Sequence, residues 1–257
     1  MAESRPGADG VIDMHAFILE KGVSGDNEMH LRGRAEKGVV PVAVHAGYRT
    51  LSTVEIGKYL VAMPLMRNRL GLECDESPIS ADMEEKLLTQ INIIEVGDGN
   101  LNLVYLVHGP GGTVVVKQAL PYVRCVGESW PLTLERAFFE QAALIAQREW
   151  DSKHVPEVYH FNRKLSMFIF EYIPPPHTIL RKLLIEDGAM RPDTFADDLS
   201  TFLANTLFNT SAFAMSGGNY RESVSKWSMN TAMCALTEQV LLYVSLYEYG
   251  FNIHIFY

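Results

Sequence analysis

The spacing of apolar and polar positions changes period twice along this chain of 257 residues, and each change marks a set of elements. Between Tyr48 and Gly71 the spacing is helical. Ser52-Thr53-Val54-Glu55 has the form of a capping box, in which a hydroxyl and a carboxylate satisfy the N–H groups of a first helical turn. A helix is predicted from there to about Met63, stopped by Pro64. A second, shorter one covers Leu65–Leu70 and ends at Gly71.

From Ile91 the period falls to two. INIIEV, LNLVYLV and TVVVKQA read as strands, with Gly109-Pro110-Gly111-Gly112 as a hairpin between the last two. Pro131 with Thr133 then predicts a helix over 133–149, with Leu134, Ala137, Phe138, Gln141, Leu144 and Ile145 on one face. HVPEVYHF leads to another strand, SMFIFEYI, which Pro174-Pro175-Pro176 terminates. ILRKLLI (Ile179–Ile185) predicts a short helix before a break at Gly188. Pro192 opens a longer helix with an apolar stripe of Phe195, Leu199, Phe202, Leu203 and Leu207. The expected fold is α+β: an antiparallel five-stranded sheet with one crossing helix, plus flanking helices.

The same pattern divides the chain. Residues 1–46, rich in glycine and charge, read as a weakly structured leader. Residues 47–173 form the sheet-bearing unit, 174–214 a connecting segment and its first helices, and 215–257 an atypical apolar tail. The tail's last stretch, QVLLYVSLYEYGFNIHIFY, is about long enough to span a bilayer. Glu248 near its middle would cost roughly 2.5–3.5 kcal/mol there, so a buried or misplaced apolar tail is expected and no membrane partner.

Composition narrows the function classes. Apolar residues make up 47% and charged residues 21%, as in ordinary globular proteins. A net charge of -9 offers no basic field for nucleic acid. Cys74, Cys125 and Cys234 are widely spaced and in no Cys-x-x-Cys pair, which favours reduced thiols in a cytoplasmic protein over zinc or disulfides. MAESRPGADG at the start carries no signal-type apolar run.

The candidate chemistry lies between Glu95 and Glu140. Strand, glycine-bearing turn, strand, lysine, helix, glutamate is the order in which kinase-type folds hold ATP. Lys117 ends VVVK on the same strand face as Val115, beneath the preceding turn, where an ammonium can bridge nucleotide phosphates. A lone lysine at such a strand end would snorkel to solvent. Glu140, between Ala137 and Leu144, is the candidate to orient Lys117, with Glu135 and Glu149 as alternatives on other faces. Helix glutamates are by default solvated.

The turn Gly97-Asp98-Gly99-Asn100-Leu101-Asn102 lets backbone N–H groups approach phosphate, although such a turn alone is more often a plain hairpin. Glu171, Tyr172 and Ile173 end a strand before the prolines, where a kinase-type fold reads the adenine edge. An ordinary strand end is the alternative. His154, His160 and His177 read as scattered, structural or exposed residues, and Trp130 and Trp150 as packing residues.

GDGNLNLVYLV, VVVKQALPYVRCVGESWPLTLERA and PPHTILRKLLI together resemble the S-methyl-5-thioribose kinase family, over roughly Tyr48 to Phe213. The phrase VGESWPLTLERA is peculiar to that family; aminoglycoside and choline kinases share the fold logic but lack it. The resemblance implies a bilobal protein-kinase-like fold and ATP- and Mg2+-dependent phosphorylation of the 1-hydroxyl of methylthioribose in methionine salvage. It also implies a homodimer. It assigns ATP binding to Asn102, Lys117, Glu171, Tyr172 and Ile173, and orientation of the lysine to Glu140; the reading of the turn adds Gly97, Gly99 and Asn100 as ATP-binding residues.

The family's pattern then requires a His-Gly-Asp catalytic loop and an Asp-x-Glu magnesium motif. No His-Gly-Asp occurs here, and no aspartate follows Asp198. No catalytic aspartate or metal ligand is therefore expected, the large lobe is expected to be mostly missing, and the chain is expected to be a truncated product with turnover near background. The alternative expectation is a non-catalytic nucleotide-binding or subunit-interaction module.

Overall fold

Ser52 opens the first helix as the capping box requires. Its hydroxyl accepts from the Glu55 N–H, while the Glu55 carboxylate accepts from the Ser52 N–H at 2.8 Å. The structure, a computed structural model, describes residues 44–97, 101–124, 127–180, 183 and 192–238. Helix α1 covers Thr53–Val61, and α2 covers Pro64–Leu70 with proline at its first turn. Gly71 caps α2 in the left-handed region at φ 71°, which a glycine adopts without steric cost. A third helix, α3 over Ala81–Leu88, is capped by the Ser80 hydroxyl; the apolar pattern did not signal it.

The expected sheet is present. Strands β1 (Asn92–Glu95), β2 (Asn102–His108) and β3 (Thr113–Ala119) form an antiparallel meander. Later in the chain come β6 (Val158–Asn162) and β7 (Met167–Glu171), and the sheet order is β1-β2-β3-β7-β6. The cross-strand register fixes the two faces. Tyr105, Val107, Val114, Val116, Met167 and Ile169 share one, and α1 and α2 bury it with Ile56, Leu60, Val61, Met66 and Leu70. Each such side chain contributes about 1.5–3 kcal/mol on full burial.

Gln118 sits in this apolar core with no exposure. It is tolerated because every polar atom is used: its amide nitrogen donates to the Arg49 and Leu165 carbonyls, and its oxygen accepts from the Leu51 N–H.

Two elements correct the sequence expectation. Pro131 does not open a helix but ends a strand, β5 (Gly127–Pro131), paired antiparallel with β4 (Tyr122–Val123). Lacking an N–H, proline is tolerated at a strand end. Helix α4 begins only at Arg136 and runs to Trp150. Its buried positions are Arg136, Ala137, Gln141 and Ala142, whereas Ile145 and Trp150 are both 46% exposed. Neither is therefore a core residue.

Described residues up to Ala137 join Tyr159–Tyr172 in one compact unit; Phe138–Val158 and the described residues from Ile173 onward form the other. The second unit holds α5 (Pro192–Asn209), α6 (Gly217–Ser228) and α7 (Thr231–Thr237). The Phe139 and Trp227 rings meet within it at 6.4 Å. The stripe predicted on α5 is not a buried seam. Leu199 and Leu203 are each 41% exposed and Leu207 64%, and the buried position is Thr206, whose hydroxyl donates to the Phe202 carbonyl.

The predicted helix over Ile179–Ile185 lies largely outside the described residues, as do residues 1–43 and 239–257. Among the described residues no helix is long and apolar enough to cross a membrane.

Candidate functional site

Lys117 stands in the central strand, β3, with Val104 of β2 and Phe168 of β7 as its cross-strand neighbours. The register puts it on the face opposite the α1–α2 core, with Val104, Leu106, Val115, Phe168 and Phe170. The rings of Phe168 and Phe170 stack at 5.2 Å. Lys117 itself is half-buried.

The turn before β2 is closed at its base by the Val96 N–H donating to the Val104 carbonyl at 2.8 Å. Gly97 lies in open space, with nothing within 4 Å of where a Cβ would stand. Gly99 and Asn100, both expected to contact ATP, lie outside the described residues.

Asn102 begins β2 opposite Ala119, on the same face as Lys117, and is only 8% exposed. Its carbonyl oxygen is held by Arg136, which donates from Nε at 3.0 Å and from one terminal nitrogen at 2.7 Å. The same guanidinium donates to the Leu101 carbonyl at 3.0 Å and to the Thr133 carbonyl at 2.7 Å. Arg124 braces the other flank, pairing with Glu95 and donating to the Asn102 backbone carbonyl at 3.4 Å.

Neither arginine stood out in the sequence. Thirty-four positions separate Arg136 from Asn102, and no local periodicity relates residues so far apart. The only available signal was an arginine among apolar residues at a helix start.

Glu171 lies in β7 opposite Val114, and the Tyr172 ring meets His108 edge-on at 6.3 Å. Ile173 is 46% exposed, and the boundary between the two units falls just before it. Glu140 is half-buried on α4 and belongs to the second unit, while Lys117 belongs to the first.

The second unit contains a polar network that sequence reasoning missed. His154 Nδ1 meets both oxygens of Asp151 at 2.8 Å, and its Nε2 meets Asp198 at 3.0 Å. Lys153 also pairs with Asp198, and Asn205 donates to Asp151. The hydrogen bond that His154 donates to Asp151, then that to Asp198, raises its pKa above the ordinary 6.5. Both carboxylates are pulled below their usual range in return, Asp151 first by His154 and Asp198 first by Lys153.

The three histidines are thus placed differently. His160 bonds the Tyr59 hydroxyl at 2.8 Å, and burial lowers its pKa. His177 is exposed and meets the Pro174 carbonyl. Among the described residues no three His, Cys, Asp or Glu side chains cluster to hold a metal ion.

Comparison with curated proteins gives one consistent answer. Over 195 residues, 76% of this chain, it is 45% identical to methylthioribose kinase 1 of Oryza sativa subsp. japonica and 42% identical to methylthioribose kinase 2 of the same plant. Over 200 residues it is 36% identical to the methylthioribose kinase of Escherichia coli O45:K1. The chain spans 42–44% of the length of these relatives. No protein-family model matches it.

Proposed function

Because the chain belongs to the methylthioribose kinase family, we propose that it carries the nucleotide-holding part of an enzyme that transfers the γ-phosphoryl group of ATP to the 1-hydroxyl of methylthioribose. The observation that carries this reading is the placement of Lys117. Half-buried in β3, it shares a sheet face with Asn102, at the base of the glycine-bearing turn.

ATP, when bound, supplies the transferable phosphoryl group. Lys117 would neutralise phosphate charge, at about 4 kcal/mol for a unit charge pair 4 Å apart in an effective dielectric of 20. The turn from Gly97 to Asn102, including Gly99 and Asn100, would offer N–H groups to the phosphates. The Tyr172 and Ile173 backbone beside Glu171 would hold the adenine edge, and Glu140 would orient Lys117. The described residues contain no cluster suited to Mg2+, so no step is assigned to that ion.

Under this reading no residue of this sequence takes the role of the loop aspartate that orients the attacking hydroxyl. We expect the chain's turnover to be near background, and a coupled assay showing normal methylthioribose phosphorylation would refute that. Function in the cytoplasm and homodimer formation belong to the same proposal. Nucleotide binding is tested by calorimetric titration of ATP into the chain and its Lys117→Ala variant. Weakening by tenfold or more supports the reading, and indistinguishable isotherms remove it.

One observation favours a second reading, a non-catalytic module that pairs with another subunit. Leu199, Leu203, Leu207 and Phe208 leave an exposed apolar strip on α5. Under this reading the mass in solution exceeds that of the monomer, and a Leu203→Glu, Leu207→Glu variant restores the monomer.

A further inference from the structure

The bonds around Asn102 bear on what this side chain can offer a ligand. Guanidinium groups only donate hydrogen bonds. With two donors of Arg136 directed at one side-chain oxygen, the Asn102 amide is held in a single sense: oxygen toward Arg136, nitrogen away from it. An asparagine pinned in this way presents two N–H donors to whatever lies on its other side, and no acceptor.

The remaining donors of Arg136 reach the Leu101, Leu132 and Thr133 carbonyls. The guanidinium therefore joins the end of the glycine-bearing turn to the segment that enters α4. All five N–H groups of Arg136 reach protein oxygens, so the guanidinium has no donor left to offer a ligand.

We propose that Arg136 is a positioning residue that fixes Asn102 as a hydrogen-bond donor to an anionic oxygen, so that the site selects the phosphate chain of its nucleotide. This rests on the nucleotide reading above and goes beyond it, by giving the asparagine a polarity and naming the residue that imposes it. An asparagine able to rotate could serve a donor and an acceptor equally. Here it discriminates against ligands that bring only N–H groups to that position.

The test is a double-substitution cycle read on two ligands, ATP and adenosine, which differ by the phosphates. Asn102→Ala and Arg136→Lys should each weaken ATP binding roughly ten- to a hundredfold, the range of a hydrogen bond to a charged group. Adenosine binding should stay within about twofold of the parent. If Arg136 acts through Asn102, the double variant is no worse than Asn102→Ala alone. Additive losses, or equal losses for both ligands, would overturn the proposal.

Arg136→Lys could fail to fold, since it empties a buried bonding centre. Asn102→Asp, which keeps an acceptor for Arg136 and replaces the donor, is the second variant. It should retain the parent's melting temperature and lose ATP while still binding adenosine, and unchanged ATP binding would overturn the assignment. If the parent chain binds no ATP, the nucleotide reading falls. The brace is still judged by the Arg136 Nε–H resonance, which should be protected from exchange in the parent and not in Asn102→Ala; an unprotected parent signal refutes it.

Discussion

Replacing Gly71 with alanine should part the N-terminal helices from the sheet they cover. The residue sits at φ +71°, and a Cβ there would stand 2.4 Å from the Gly111 nitrogen and 2.5 Å from its Cα. Both are backbone atoms of the β2–β3 hairpin and cannot rotate away. The left-handed conformation costs a non-glycine residue about 1–2 kcal/mol. Relieving the clash means separating the two backbones, which breaks the 2.9 Å bond from the Gly111 N–H to the Leu70 carbonyl. Leaving those groups unpaired costs about 1–3 kcal/mol more. The expected loss is therefore about 2–5 kcal/mol.

Gly47→Ala is the matched control. It too has a positive φ, +86°, but nothing lies within 4 Å of its Cβ position, so only the conformational cost applies. Equilibrium urea titration would compare the two, with amide exchange at Val116 as a local readout. Equal losses for the two variants would refute the close-approach reasoning.

Two further substitutions probe the buried polar groups. Gln118→Leu should cost roughly 3 kcal/mol or more, at about 1–3 kcal/mol for each of the three backbone groups it abandons, measured by urea unfolding. A loss under about 1 kcal/mol would show that water replaces the amide. His154→Gln should alter how stability varies with pH. Because the folded pKa of His154 is raised, its contribution is complete below the ordinary value of 6.5 and disappears as pH rises through the folded pKa. The depressed pKa values of Asp151 and Asp198 make their contribution present above 3.8 and lost as pH falls further. The gap in melting temperature between parent and variant should thus be widest between about pH 4 and 6.5 and close on the alkaline side. A gap constant from pH 5 to 9 would contradict this.

Local signals in the sequence were the ones that proved readable. The Ser52–Glu55 box, the stop at Gly71, the five strands and the shared face of Val115 and Lys117 each depend on residues a few positions apart. Physical chemistry at that range is carried by composition and period. What escaped notice depends on distant partners. The Arg136–Asn102 bonds and the Gln118 core amide need the folded register before either pairing is visible. The network of Asp151, His154 and Asp198 joins a helix end to another helix more than forty positions on. Pro131 misled because proline suits both a helix start and a strand end, and only its pairing with Tyr122 decides between them. The α5 stripe shows the reverse failure, since a helical period records which residues share a face and not whether anything covers it.

The central strand carries a consequence of its own. Neighbouring positions on β3 face opposite environments: Gln118 is enclosed among the Leu51, Arg49 and Leu165 backbone groups, while Lys117 faces the phenylalanine side. A codon inserted or deleted between Gly112 and Thr113 would turn each of these side chains to the opposite face of the sheet. The ammonium would then be driven into the sealed interior and the amide turned to the phenylalanine side. Hairpin length is thereby tied to the placement of the cation.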